Sequence, residues 1–280
     1  TTGVQNTLVG GLAGDALTDA DENVAVGYEA LTSDTLGTGS VAIGRKALNS
    51  QNFSTATTSY NVAVGIAAGL SVTTGIQNLI LGGLAGDALT DADFNTVVGM
   101  GALTTDTLGS RTVAVGYQSL YNQNFTTATD SHNTAVGYNA GVSVTTGIRN
   151  TIVGGIAGDN LTDADDNSVF GYNALAIDTA VGANAGQYVT TGTNNTLIGG
   201  LAGDALTDGD NNVAVGTSAL SAETRADRNV AIGSSALGAM NVGTDTDTYN
   251  VAVGCLAGAN VTTGVQNTLI GGLAGDALNT

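Results

Sequence analysis

The chain has 280 residues, of which 42 are Gly and none is Pro or Trp, and its formal net charge is -18 at pH 7. Only six basic residues stand against 24 acidic ones, so the chain lacks the Lys and Arg surface that nucleic acids and anionic membranes require. No apolar run approaches the roughly 20 residues that span a bilayer, so membrane insertion is not expected either.

A five-residue unit of the form Asn-x-apolar-apolar-Gly returns sixteen times along the chain. The copies begin at Asn6, Asn23, Ser40, Asn61, Asn78, Asn95, Thr112, Asn133, Asn150, Asn167, Asp178, Asn195, Asn212, Asn229, Asn250 and Asn267. The steps between them are 17, 17, 21 and 17 residues, which gives a super-repeat of 72 residues. The step from Asn167 to Asp178 is only 11 residues, so one unit has been lost there.

A period of this size that tolerates the loss of a whole unit indicates a solenoid, in which each turn contacts mainly its neighbours. The unit is short and rich in Val and Ile, and Gly and polar residues bound it, which favours a strand. We therefore predict an all-β parallel β-solenoid of about sixteen turns of 17 or 21 residues. Residues 1–280 would form one array, with super-repeats starting near residues 6, 78, 150, 195 and 267. Because the chain starts at Thr1, we expect it to be a fragment of a longer fibre.

Each position of the unit has an expected role. The residue before the Gly is always large and apolar, as in Val26, and is expected to fill the inside of the coil. The Gly suits a tight corner, and the small residue three positions later, as in Ala30, marks a place without room. The Asn would form a side-chain ladder that satisfies turn backbone groups.

Both faces of the predicted strand are apolar, because Val24 and Val26 share one face while Ala25 takes the other. The second face carries larger residues in some units: Leu8, Ile80, Ile152, Leu197 and Leu269. A coil has only one inside, so the second face must be covered by something. The most economical cover is another copy of the same chain, which predicts a homotrimer that is intertwined or arranged side by side.

Several strings resemble a known family: Ser40-Val-Ala-Ile-Gly44, Tyr60-Asn-Val-Ala-Val-Gly65, and the Thr-Thr-Gly linkers that start at Thr73, Thr145, Thr190 and Thr262. They are similar to the head repeats of YadA-like trimeric autotransporter adhesins and, more closely, to the repeat arrays of phage tail fibres. The resemblance covers the whole chain, although the turns of the adhesin head are shorter than those found here. It implies a trimeric left-handed β-roll, a location on a virion or cell surface, and host attachment.

Four connectors carry alternating acidic residues ahead of an Asn, at Asp19 and Asp21, Asp91 and Asp93, Asp163 and Asp165, and Asp208 and Asp210. Oxygen ligands with this spacing open many calcium loops. However, the Gly at the sixth position and the closing Glu of an EF-hand are both missing. Calcium is therefore one hypothesis, and the other is a solvated acidic edge that needs no ligand. No other cofactor is predicted.

The 21-residue turns contain longer loops that hold much of the aromatic content. Their candidate receptor contacts are Phe53, Tyr60, Tyr121, Phe125, His132 and Tyr249. Exposed aromatic groups on loops suit contact with a glycan or a protein. The alternative is that these loops only cover the roll.

His132 is the only histidine, so no His-based triad and no multi-histidine metal site can be built from this chain. We predict a non-enzymatic fibre of a phage tail or surface adhesin, in contact with itself, with other fibre or baseplate proteins, and with a host surface glycan or protein. Its location would be the virion or the cell exterior. The alternative hypothesis is a bacterial extracellular structural filament or spacer without a receptor site.

Overall fold

The computed structural model describes residues 2–174 and 179–279, so the predicted unit start at Asp178 lies outside the described residues. The chain forms two compact units, residues 1–149 and residues 150–280. The described ranges contain strands, turns and irregular segments but no helix, and so no helix there could cross a membrane. The predicted all-β class is confirmed.

The first unit contains one sheet of eight parallel strands and two pairs of very short strands. The eight strands of the sheet are β1 (Thr7–Val9), β2 (Val24–Val26), β4 (Val41–Ile43), β6 (Val62–Val64), β7 (Leu79–Leu81), β8 (Thr96–Val98), β10 (Val113–Val115) and β12 (Thr134–Val136). The short strands are β3 (Gly37–Thr38), paired with β5 (Thr57–Thr58), and β9 (Gly109–Ser110), paired with β11 (Thr129–Asp130). Each short pair lies beside a 21-residue turn.

The second unit repeats this plan with eight parallel strands and one short pair. Its sheet strands are β13 (Thr151–Val153), β14 (Ser168–Phe170), β15 (Thr179–Val181), β16 (Thr196–Ile198), β17 (Val213–Val215), β19 (Val230–Ile232), β21 (Val251–Val253) and β22 (Thr268–Ile270). The short pair is β18 (Ala226–Asp227) with β20 (Thr246–Asp247).

Within each unit, equivalent residues of successive turns pair directly, as Ala25 of β2 does with Ala42 of β4. The register continues across the shortened step, where Val169 of β14 pairs with Ala180 of β15. Each unit is therefore a parallel β-solenoid with stacked turns, as the repeat predicted. The trimer and the hand of the coil stay predictions.

The assignment of the two strand faces was wrong. The middle residue of each strand faces the interior, and Ala25 and Ile80 are fully buried. The residue before the Gly faces outward instead, since Ile43 is 38% exposed and Val136 is 37% exposed. Leu8 is a middle residue that is 43% exposed, because β1 is the first strand of the stack. The middle position of the strand is therefore often Ala, and it carries a larger residue in the other turns.

In several turns, core volume is balanced between two positions. Where the middle residue is Ala42, the residue six positions later is Leu48, which is fully buried. Where the middle residue is Ile80, the corresponding residue is Gly86. A Cβ atom on Gly86 would lie 2.9 Å from Cδ1 of Leu89 and 3.6 Å from Cδ1 of Ile80. This exchange keeps the interior close-packed while the sequence varies from turn to turn.

The repeated Gly forms the predicted corner at the end of each sheet strand. Gly27 has a φ of 139°, in a region that residues with a Cβ rarely adopt. A Cβ atom there would lie 2.6 Å from the carbonyl oxygen of Gly44 in the next turn. Ala30, three positions later, is fully buried as expected. The corner therefore requires Gly both for its backbone conformation and for the close approach of successive turns.

Candidate functional site

The Asn at the start of each unit bridges successive turns inside the coil. Asn23 donates from Nδ2 to the carbonyl oxygen of Gly37 over 2.9 Å, and its Oδ1 accepts from the backbone N–H of Ser40 over 2.8 Å. Asn61 makes the same pair of bonds with Gly75 and Asn78. This Asn ladder satisfies buried backbone groups, as the sequence predicted, and its side chains are fully engaged within the fold.

In the connectors at Asp21, Asp93 and Asp210, the second Asp bonds the backbone of the preceding turn. Oδ1 of Asp21 accepts from the N–H of Val4 over 2.7 Å, and Oδ1 of Asp93 accepts from the N–H of Ile76 over 2.7 Å. Oδ1 of Asp210 likewise accepts from the N–H of Thr193 over 2.6 Å. These carboxylates therefore have a structural role whether or not a cation is present.

The first Asp of a connector bonds Thr side chains of the preceding turn. Thr74 donates to Oδ1 of Asp91 over 2.6 Å, and Thr191 donates to Oδ1 of Asp208 over 3.0 Å. A side-chain bond also joins Thr2 to Asp19. The Thr-Thr-Gly linkers and the acidic connectors, which look independent in the sequence, thus form one interlocked pair of turns.

The remaining connector, Asp163 and Asp165, also has bonds within the protein, and Thr162 donates to Oδ1 of Asp163 over 3.1 Å. In the second connector, burial raises the pKa of Asp93, and the nearby negative charges of Asp91 and Asp130 raise it further. In the part of the chain that the structure describes, no three His, Cys, Asp or Glu residues are grouped so that they could hold a metal ion. Calcium binding by the connectors stays a prediction.

Phe53 and Phe125 were expected to contact a receptor, and the structure places both in the core instead. They are 4% and 5% exposed. Each ring covers a Gly of the neighbouring turn, since a Cβ atom on Gly37 would lie 2.8 Å from Cδ2 of Phe53. The sequence suggested surface loops, but both Phe rings pack against the neighbouring turn while the residues that follow them are exposed.

The other candidates are at least partly accessible. Tyr60 is 61% exposed and Tyr249 is 48% exposed, while His132 is exposed and Tyr121 is half-buried. Tyr60 and His132 occupy equivalent positions four turns apart, which corresponds to about 19 Å at a strand spacing of about 4.8 Å. The structure therefore does not bring these two candidates into one site.

Tyr249 belongs to a small surface cluster in the second unit. Its hydroxyl donates to Oδ2 of Asp247 over 3.0 Å, and Nε of Arg228 donates to Oδ1 of the same carboxylate over 2.6 Å. The guanidinium of Arg228 lies 5.8 Å from the centre of the Tyr249 ring. The bond from Arg228 lowers the pKa of Asp247, and the bond to Asp247 raises the pKa of Tyr249. The cluster fixes the orientation of an exposed aromatic ring.

A buried polar network that joins each 21-residue turn of the first unit to the turn before it was not anticipated. Asp34 is fully buried; its Oδ1 accepts from the N–H of Gly37 over 3.0 Å, and its Oδ2 accepts from Nε2 of Gln51 over 2.6 Å. Gln51 also donates to Oγ of Ser40 and accepts from Nδ2 of Asn61. The same network recurs around Asp106 and is built from Asp106, Gln123, Thr112, Ser131 and Asn133. The repeated string Asp-Thr-Leu-Gly, at residues 34 and 106, was the available signal.

Comparison with known proteins found no matching family model, no matching curated protein and no matching solved structure.

Proposed function

We propose that this chain is a non-enzymatic structural segment of an attachment fibre, such as a phage tail fibre or a surface adhesin, and that it assembles with copies of itself. The outward face of the sheet strands carries this proposal. In both units this face presents two side chains per strand, and no charged residue lies among them. The chain as a whole has a net charge of -18, so a face without charged side chains differs from the acidic remainder of the surface.

Two outward rows run along the stack of strands. The row before the corner Gly contains only large apolar residues: Val9, Val26, Ile43, Val64, Leu81, Val98, Val115 and Val136 in the first unit, and Val153, Phe170, Val181, Ile198, Val215, Ile232, Val253 and Ile270 in the second. The parallel row consists of Val, Leu, Thr and Ser. Eight strands at about 4.8 Å extend each row over about 34 Å within a unit. Continuous apolar surface of this extent typically marks an interaction site.

Copies of the same chain are the partner that fits this face best. Their rows repeat at the same strand spacing, so side chains of one copy can pack between those of another along the whole row. A partner of unrelated sequence would lack this periodic match. Cyclic symmetry would close the assembly as a homotrimer and would cover all the faces equally. The acidic connectors lie outside this outward face of the strands, where their charges favour solubility.

Other features support a structural role over a catalytic one. The Asn ladder, the Asp-to-backbone bonds and the Asp34 network all join one turn to the next. Attachment would come from exposed groups on the connectors, such as Tyr60 and Tyr249, or from other proteins of the fibre or baseplate. The fibre would stand on a virion or a cell surface and meet a host glycan or protein there. The same structural features would also suit a filament or spacer without a receptor site. Only the attachment to a host distinguishes the two proposals.

The test is the molar mass in solution, measured by light scattering coupled to size-exclusion chromatography. We expect about three times the chain mass of 27.4 kDa. The double variant Val64→Lys/Val115→Lys charges the outward face and should run as a monomer. The matched control Asn122→Lys adds a charge on an exposed loop and should stay trimeric. Repeating the run with a chelator tests whether calcium contributes to assembly. A wild-type chain that is a stable monomer would contradict the proposal.

A further inference from the structure

Charge is almost absent from the corner edge of the outward face. The two residues after each corner Gly are charged only at Glu29, Arg45 and Lys46, although the chain has sixteen such corners. Lys46 pairs with Glu29 of the turn before it over 3.2 Å. Arg45 is exposed, and its side chain has no hydrogen bond or salt bridge in the described residues. The turn of β4 therefore presents one unpaired cation at its corner edge.

The opposite edge of the outward face carries a column formed by the residue that precedes each unit. In the turn of β10 this residue is Arg111, whose guanidinium carbon lies 5.1 Å from the centre of the Phe94 ring. Arg111 also pairs with Asp130. Arg228 occupies the same position in the turn of β19, and its cluster with a Tyr ring and an Asp has the same composition. In both turns a cation, a ring and a carboxylate therefore form a closed group at this edge.

In the turn of β4 the ring of this group is kept, but its cation is missing. Gly39 stands in place of the Arg, and Thr58 stands in place of the Asp. Tyr60 is 61% exposed and covers the glycine, since a Cβ atom on Gly39 would lie 3.3 Å from Cδ1 of Tyr60. Glu22, at the same position of the turn before, is exposed and has no salt bridge in the part of the chain that the structure describes. This edge therefore offers a ring and a carboxylate without a cation.

The unpaired cation and the incomplete group lie at the same height of the coil. Gly39 precedes β4 by two residues and Arg45 follows β4 by two residues, so both belong to one turn. They flank the apolar outward face that carries the proposed assembly. In a cyclic assembly of parallel copies, each copy turns one edge of its interface towards the opposite edge of the next, and the rotation preserves height. Arg45 of one copy would thus meet the Gly39 edge of its neighbour.

We propose that Arg45 of one copy lies over Gly39 of the next copy, where it stacks on Tyr60 and pairs with Glu22. Gly39 has no side chain, so the space that Arg111 fills at the equivalent position is open here. The contact combines a cation–π interaction with a salt bridge, as the two clusters within the chain do. This inference rests on the assembly proposed above and names the residues that one copy contributes to the other.

The contact would also fix how the copies are aligned. The outward rows repeat at every turn, so a neighbour shifted by one turn of about 4.8 Å could pack almost as well. A charged contact that exists in only one turn removes this ambiguity, much as a single polar position fixes the register of a coiled coil. In this arrangement Tyr60 serves the assembly, and host contact is left to Tyr249 or to other proteins of the fibre or baseplate.

The experiment measures the concentration at which the assembly is half dissociated, by sedimentation of the full chain at several concentrations. Arg45→Glu and Glu22→Arg each place like charges together and should raise this concentration about tenfold or more. The combined variant Arg45→Glu/Glu22→Arg restores the pair with its charges exchanged and should return to within about threefold of the wild type. The matched control Arg225→Glu makes the same charge change on a connector and should assemble as the wild type does.

A second variant closes the group within each chain. Gly39→Arg/Thr58→Asp copies the residues of the Arg111 cluster, and Arg111 has a φ of 58° at that position, so the backbone accepts an Arg there. The variant should weaken assembly about tenfold, because its own guanidinium covers the ring, while the dissociated chain keeps the thermal midpoint of the wild type.

Three results would overturn the contact: single variants that assemble as the wild type does, a combined variant that assembles no better than the single ones, or an unweakened assembly of Gly39→Arg/Thr58→Asp. Each of these results would leave a wild-type trimer in place and so would not contradict the proposed assembly. A wild-type chain that stays monomeric at every concentration would overturn both.

Discussion

The inward and outward faces of a single sheet strand show how differently two apolar surfaces are used in this protein. In β7, Ile80 faces inward and is fully buried, while Leu79 faces outward and is 37% exposed. The inward residue is matched by glycines, because a Cβ atom would lie 3.0 Å from its Cδ1 on Gly69 of the preceding turn and 3.6 Å from it on Gly86. The outward residue has no such match within the chain. Apolar character alone therefore does not identify the core, and the space left in the same turn or a neighbouring one must be considered as well.

The largest expected effect comes from a cavity on the inward face. Ile80→Ala should lower the free energy of unfolding by about 2–5 kcal/mol, because a buried side chain is removed from a close-packed interior. Urea denaturation followed by circular dichroism measures this loss. The matched change Leu79→Ala on the same strand should cost less than about 1 kcal/mol in a dissociated sample. If both variants lost the same free energy of unfolding, the assignment of one face as inward and the other as outward would be contradicted.

A somewhat smaller loss is expected at the ladder on the edge between the faces. Asn61→Ala removes the bonds to Gly75 and Gln51 and the bond from the N–H of Asn78. It leaves buried backbone groups unpaired, at about 1–3 kcal/mol for each unsatisfied group. Urea denaturation should show a total loss of about 2–3 kcal/mol, because water can reach part of the gap. Asn122→Ala, at an exposed loop position, is the control and should change the stability by less than about 0.5 kcal/mol.

The stability should rise on mild acidification. Burial raises the pKa of Asp87, Asp159 and Asp204, and each has a buried Oδ1 atom without a hydrogen-bond partner in the described chain. A carboxyl whose pKa is higher in the folded state binds its proton first in that state. Its contribution is therefore fully present below the unfolded pKa of about 3.9 and is lost as pH rises through the folded pKa.

The thermal midpoint should accordingly increase as pH falls through the folded pKa of these carboxyls towards the unfolded pKa of about 3.9. The exposed Glu29 and Asp247, whose pKa values are lowered by their hydrogen-bond partners, act in the opposite direction only at lower pH. The variant Asp87→Asn/Asp204→Asn should reduce this slope. Asp15→Asn, at the equivalent but exposed position of the first turn, is the matched control and should change it less. A midpoint that falls steadily from pH 7 would contradict the assignment.

The smallest effect on the fold is expected on the outward face. Val64→Thr exchanges one β-branched residue for another of similar shape, so the secondary structure should form normally. The cost in a dissociated sample should be below about 0.5 kcal/mol. The same change should make the assembly dissociate at a higher protein concentration, because a hydroxyl then enters an apolar contact. Sedimentation at several concentrations separates the two effects.

Much of the fold could be predicted because one unit returns sixteen times. Gly27 and Ala30 stand at fixed offsets in that unit, and their roles follow from the space that a Cβ atom needs. The sequence could not predict which strand face is buried, because Val24, Ala25 and Val26 are all apolar. Alternation separates two faces but does not show which of them points to the interior. A partial clue was the exchange between the middle residue and the residue six positions later in turns such as those of Ala42 and Ile80, which becomes meaningful only when both positions are known to share the interior.

The candidate site was predicted less well, because its residues depend on which turns lie next to each other. In the sequence, Phe53 lies in a loop. Its burial follows only when Gly37, which its ring covers, is known to lie in the neighbouring turn. The spacing from Asp34 to Gln51 is 17 residues, the length of one short turn, so their alignment could have been found.

The Asn ladder also determines how each unit responds to force. The bonds between turns run along the stack, so tension applied along that direction is borne by one interface after another in series. Each interface holds a few backbone bonds and one amide bridge, as between Asn23 and Ser40. A pulled unit should therefore lengthen in many small and nearly equal steps, each releasing one turn of chain. Such a segment would absorb a sudden load gradually and would not break in a single event.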